Sequence, residues 1–77
     1  MTKEQAIRYL SETLSDLLDR EVVLDETTRQ SDVDGWDSLT TMTFMVLIEN
    51  DLHVQMSIEE ISRFENIGAL ADRILGK

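Results

Sequence analysis

The apolar positions of this chain cluster into groups, most of which repeat every three or four residues. Ile7, Leu10, Leu14, Leu17 and Leu18 line one face of a predicted first helix. Thr2 and Gln5 precede that run at capping-box spacing, and the helix is expected to end near Asp19 or Arg20. A second helix is predicted from Ser38 to Asp51, with Asp37 as its N-cap. Ser57 caps a short third helix whose first turn holds Glu59 and Glu60, where they suit the helix dipole. Asn66 caps a last helix that buries Ile67, Leu70, Ala71 and Ile74.

Between the first two helices the pattern weakens. Val22, Val23 and Leu24 form a short apolar patch, and a polar run from Asp25 to Asp32 follows. The patch has the composition of a strand but no second strand to pair with. The region is therefore expected to be a long loop pinned by Leu24 and Val33, and loops of this length in compact domains tend to be functional. Proline is absent and glycine occurs only at 35, 68 and 76, so helices can run unbroken. The pattern predicts an all-α fold: a four-helix bundle of three longer helices and one short one, with a long loop between helices 1 and 2. At this length the chain, residues 1–77, is expected to form a single domain.

The second helix is apolar on two sides. Phe44, Met45, Ile48 and Leu52 share one face, while Leu39, Met42 and Val46 fall on a nearly opposite one, at about 100° per residue. Thr40, Thr43, Glu49, Asn50 and Asp51 lie between. Such a helix either is buried centrally or presents one stripe to a partner. The first stripe is read as core and the second, which begins beside Ser38, as a docking surface.

Charge narrows the choice of partner. Sixteen acidic residues against seven basic ones give a formal net charge of −9, which repels nucleic-acid phosphates and steers toward basic patches. Cysteine is absent, which excludes disulfides, thiolate metal sites and a protein thiol nucleophile. No segment has the apolar length of a signal peptide or a membrane span, and the expectation is a cytoplasmic monomer.

Candidate chemistry is thin. A nucleophilic serine needs a positioned base, and the single histidine, His53, lies a helix length from Ser38, more than about 20 Å away. No catalytic residue and no enzyme activity are predicted. Asp32-Val33-Asp34-Gly35-Trp36-Asp37 looks like part of a calcium loop. With Gly35 at the sixth position, however, the first is Gln30 and the twelfth is Thr41, so two strong ligands are missing and no metal site is assigned. Ser38 itself opens a helix after an acidic loop. Its hydroxyl can serve as a capping group or as an exposed attachment point, and local pattern alone leaves both readings open.

Gly35-Trp36-Asp37-Ser38-Leu39 resembles the phosphopantetheine attachment motif of the acyl carrier protein family. The rest of the chain agrees in length, acidity, long first loop and helix order. Several further segments also look alike: the apolar, Met-rich second helix, the stretch from Ile48 to Met56, the short acidic helix and the closing helix. The resemblance implies a discrete carrier with 4′-phosphopantetheine, drawn from coenzyme A by a phosphopantetheinyl transferase, attached to Ser38 between Asp37 and Leu39. The arm's thiol would hold acyl intermediates as thioesters, so the cofactor supplies the sulfur that the chain lacks. Acyl- or aminoacyl-loading, condensing and modifying enzymes with basic docking patches would be its partners, in fatty acid, polyketide or other secondary-metabolite biosynthesis. Carried over by position, Asp37, Leu39, Met42, Val46 and Glu49 would face them. A peptidyl or aminoacyl carrier and an unmodified acidic adaptor are the alternatives.

Three departures from the family pattern stand out. Thr40 and Thr43 occupy positions where fatty-acid carriers place acids, His53 stands where a glycine is common, and Trp36 replaces a small residue. His53 is expected to tolerate a left-handed conformation there. Trp36 is expected to seal the loop against the bundle rather than to pack on the arm.

Overall fold

The computed structural model describes residues 1–76, except for the side chains at 58, 61 and 62. Four α-helices follow in order: α1 (Lys3–Leu18), α2 (Ser38–Leu52), α3 (Ile58–Arg63) and α4 (Ile67–Ile74). This is the predicted all-helical bundle, and among the described residues there is no strand. α1 packs on both α2 and α4, and α3 packs on α2.

Each helix starts where a polar side chain can take up a free N–H. The capping box at the start of α1 is complete: Gln5 N–H donates to Thr2 Oγ1 at 3.1 Å and Thr2 N–H to Gln5 Oε1 at 2.8 Å. Asp37 Oδ1 accepts from Thr40 N–H, Ser57 Oγ from Glu60 N–H and Asn66 Oδ1 from Ala69 N–H. α1 ends as Asp19 turns left-handed, φ 53°, a conformation that Asp tolerates because its short polar side chain can bond locally. α2 ends on His53 at φ 55°, the left-handed turn expected of it.

The core is built from Leu10 and Leu14 of α1, Phe44 and Ile48 of α2, and Ile67 and Leu70 of α4, all essentially excluded from solvent. The buried face of α1 is rotated slightly from the one read in the sequence. Ala6 and Thr13 are buried with Leu10 and Leu14, whereas Ile7, Leu17 and Leu18 sit half-buried on its margins. Small Ala6 fits where helices approach closely, and the bulkier flanking residues cover the seam. Tyr9 ties α1 to the end of α2 by donating to Asp51 Oδ2 at 2.7 Å.

Partial burial, reinforced by the Asp51 hydrogen bond, raises the Tyr9 phenol from 10.0 to about 12. The folded state therefore holds the protonated phenol more firmly than the unfolded chain does. That contribution is complete below pH ~10 and is lost as pH rises toward the folded value. Melting temperatures recorded between those two pH values should fall more steeply for the native protein than for Tyr9→Phe.

The long loop is more ordered than its composition suggested. Val22 and Leu24 point into the core while Val23, between them, is 80% exposed, the alternation of an extended segment. Two hydroxyls of α1 hold it in place of a partner strand: Ser15 Oγ accepts Val22 N–H at 2.8 Å and Ser11 Oγ accepts Leu24 N–H at 3.1 Å. Gln30–Asp32 form a 3-10 turn, and Val33 packs half-buried against the core.

The same loop caps α4. Ile67 N–H donates to Thr28 O at 2.8 Å and Gly68 N–H to Glu26 O at 2.9 Å, so with Asn66 the first three N–H groups of α4 are satisfied. Only glycine permits this approach, because a Cβ at 68 would stand 2.8 Å from Glu26 O. Gly68→Ala should therefore destabilise the fold by roughly 1–3 kcal/mol in a urea titration, as overpacking does. A helix interior free of that contact would gain up to about 1 kcal/mol from the same change.

Candidate functional site

The turn before α2 is built around Gly35. Trp36 N–H returns to Val33 O at 3.3 Å, and Gly35, third in that turn, has φ +85°, a conformation that side chains disfavour. The turn lays Trp36 against the bundle. Its indole stacks on Phe64 with centroids 5.8 Å apart at 29° and meets Phe44 edge-on at 5.7 Å and 74°. Indole Nε1–H donates to Thr41 Oγ1 at 2.8 Å, Thr41 Oγ1 donates to Asp37 O at 3.0 Å, and Gln30 Nε2 donates to Trp36 O at 3.1 Å. Every polar group of this buried tryptophan is satisfied. Sealing, the role expected of it, is what the structure shows.

With Trp36 fixed, Asp37 reaches the N-cap position and Ser38 becomes the first residue of α2. The cap bond, Thr40 N–H to Asp37 Oδ1, is 2.8 Å long. Hydrogen bonds from the Thr40 backbone N–H and then its side chain hold the Asp37 carboxyl below its ordinary 3.8, so it is ionised at neutral pH. Because Asp37 does the capping, Ser38 does not. Its side chain is exposed, and its hydroxyl makes no hydrogen bond to any described residue. The capping-serine alternative is thereby removed.

The second apolar stripe of α2 faces outward. Leu39 is 74% exposed, Met42 47% and Val46 50%, while Glu49 is half-buried farther along. The opposite face holds Phe44 and Ile48 in the core with Met45 and Leu52 half-buried against it. The two-sided pattern thus resolves into one buried and one open stripe. The soft side chains divide likewise: Met56 belongs to the core, and Met42 to the open stripe.

Other candidate chemistries do not assemble. Ser38 opens α2 and His53 closes it, so they stand at opposite ends of one helix. Asp32 Oδ2 accepts Arg29 N–H at 2.9 Å, so Asp32 and Asp37 each serve their own turn. Among the described residues, no group of three or more His, Asp or Glu side chains is placed to hold a metal ion.

Two residues that frame this site, Gln30 and Thr41, were named in the sequence only as calcium-loop positions that lack a strong ligand. Thr41 shares helical spacing with Phe44 and Ile48, which could have placed it on the core face. Gln30 has no local signal, since its partner Trp36 is brought to it by the Gly35 turn.

The residues available suit a phosphate-linked prosthetic group, which needs one accessible, unengaged hydroxyl. A family model described as a phosphopantetheine attachment site matches residues 8–74. No match was found among curated proteins or among solved structures.

Proposed function

Since the chain belongs to the phosphopantetheine attachment family, whose domain is the site of covalently bound 4′-phosphopantetheine, we propose that Ser38 is the residue bearing the arm. The observation that supports this reading is the free, exposed Ser38 hydroxyl at the start of α2, with Asp37 taking over the cap. When bound, the group supplies a thiol on a long tether; the protein supplies presentation. Ser38 anchors it, the Trp36 seal and the Gly35 turn fix the anchor, and the open stripe lies directly beside it.

The protein works as a non-catalytic acyl carrier serving enzymes of fatty acid, polyketide or other secondary-metabolite synthesis. The Asp37-Ser38-Leu39 core and the net charge of −9 support acyl over peptidyl cargo. Tethering keeps the cargo at high effective concentration near a docked enzyme. Acidic charge speeds encounters with basic docking patches without requiring tight binding, which suits a carrier that visits several enzymes. Among the described residues, no helix is long and apolar enough to cross a membrane.

Incubation with coenzyme A, magnesium and a broad-specificity phosphopantetheinyl transferase tests the reading. The intact mass should rise by one phosphopantetheine, and an unchanged mass would reject it. Leu39, Met42, Val46 and Glu49, with Asp37, form the proposed partner surface. Met42→Glu or Val46→Glu should slow acyl transfer by a partner enzyme about tenfold, the effect of losing one modest interface anchor. Helicity on circular dichroism should be retained, because both side chains are about half exposed. Loss of helicity would make them core residues instead.

A further inference from the structure

The stretch around Val23 and the first helix enclose an open groove of about 560 Å³ with an apolar floor and an acidic rim. Half-buried Ile7, buried Leu24 and the 80% exposed Val23 supply its apolar carbons. Val23 cannot turn inward, because Val22 and Leu24 occupy the core and side chains alternate along an extended segment. The walls are fixed before anything binds: Ser11 Oγ donates to Ile7 O at 2.9 Å and accepts Leu24 N–H at 3.1 Å. A partner therefore meets a formed surface and loses little in ordering it.

Charge decides what can lie there. Glu4 and Glu12 stand about one turn to either side of Arg8 on α1, with Asp25 and Glu26 on the loop. Glu26 pairs with Lys3 at 3.6 Å, whereas Glu4, Arg8, Glu12 and Asp25 form no ion pair with any described residue. Hydrogen bonds from the Thr27 side chain and backbone hold the Asp25 carboxyl below its ordinary 3.8, so it is charged at neutral pH. A second copy of this chain, at net charge −9, is repelled, and so are nucleic-acid phosphates and anionic lipid surfaces. The groove is complementary to a polypeptide segment of the opposite pattern, with apolar side chains flanked by cations.

We propose that this groove is a second docking surface, for a short amphipathic segment of a partner protein. The segment's apolar side chains cover Val23 and Ile7, while its lysines or arginines meet Glu4, Glu12 and Asp25. From Glu4 to Glu12 the rim runs about 12 Å along α1, at 1.5 Å per residue, which is room for about two turns of a partner helix. The groove contains no residue of α2 or of the attachment motif, so a partner can hold it while Ser38 and the open stripe stay available. Held this way, the carrier is kept at high effective concentration beside that partner's enzyme. The surface needs no prosthetic arm and stands or falls apart from the Ser38 reading.

A synthetic peptide with leucines on one helical face and lysines on the other, titrated into the unmodified chain at low salt, tests this. The backbone amide resonances of Ile7, Ser11, Val23 and Leu24 should shift saturably, ahead of those of Leu39, Met42 and Val46. Val23→Ser, at an exposed position, should weaken binding about tenfold. Glu4→Gln combined with Glu12→Gln should weaken it as well and flatten its dependence on salt. Val46→Ser should bind as the native protein does, and a peptide with glutamate in place of lysine should not bind. No binding, shifts centred on the α2 stripe, shifts scattered over the acidic surface without saturation, or undiminished binding by Val23→Ser would overturn the proposal and leave the Ser38 reading untouched.

Discussion

Ser38→Ala should accept no prosthetic arm, and the loss should be complete. In the transfer reaction, the serine oxygen attacks the pyrophosphate of coenzyme A, forming a new phosphoester bond while adenosine 3′,5′-bisphosphate departs. Alanine has no oxygen to make that bond. Nearby hydroxyls are poorly placed to substitute. Thr41 Oγ1 is buried between Trp36 Nε1–H and Asp37 O, and Thr43 Oγ1 is bonded to Leu39 O one turn back. The fold should not notice the change, because the Ser38 side chain is exposed, unbonded and outside the cap. Alanine is also a good helix former. The variant should therefore melt within about 2 °C of the native protein, a change well under 1 kcal/mol in a domain of this size. A folded Ser38→Ala protein that still gains the arm's mass would place the attachment elsewhere.

Trp36→Ala should have the largest effect on stability. The indole is 5% exposed, touches two aromatic rings and donates to a buried hydroxyl. Truncating such a side chain costs about 3–5 kcal/mol. A chain of this length has only roughly 4–12 kcal/mol in total, so the variant would lose a large share of its stability. Each kcal/mol shifts the melting temperature by about 4–8 °C in domains this small, so the drop should exceed roughly 12 °C. Trp36→Phe keeps most of the ring contact and loses the donor to Thr41, which should cost nearer 1 kcal/mol. Equal, small effects from both substitutions would mean that Trp36 does not seal the bundle.

Features governed by near neighbours were legible in the sequence. Thr2 with Gln5, Asp37, Ser57 and Asn66 announced their helices because a cap bonds to a backbone group two or three residues away. The split character of α2 was visible because helical spacing alone separates Phe44 and Ile48 from Leu39, Met42 and Val46. His53 was legible only through the resemblance, since it stands where the family commonly has a glycine.

What escaped the sequence depends on contacts between segments far apart in the chain. No local pattern marks Ser11 and Ser15, yet they accept the N–H groups of Leu24 and Val22 and hold the extended stretch around Val23. Nothing near Gly68 in the sequence signals that Glu26 O lies against it. The order of the long loop, including its 3-10 turn, follows from these anchors rather than from its own polar composition. At the candidate site, Asp37, Ser38 and Leu39 were identified from the motif. The cap role of Asp37 was legible as well, but the contacts of Trp36 with Gln30 and Thr41 that support the turn before it were not, because they join the loop to the helix.

Fragmentation mass spectrometry of the native protein, after reaction with coenzyme A and a transferase, bears on the attachment at Ser38 most directly. Attachment at Ser38 predicts one added phosphopantetheine per chain, with every fragment containing Ser38 carrying the added mass and every fragment lacking it unmodified. Modification mapped to Ser31, Ser57 or any other residue, or a chain that stays unmodified while folded, would contradict it.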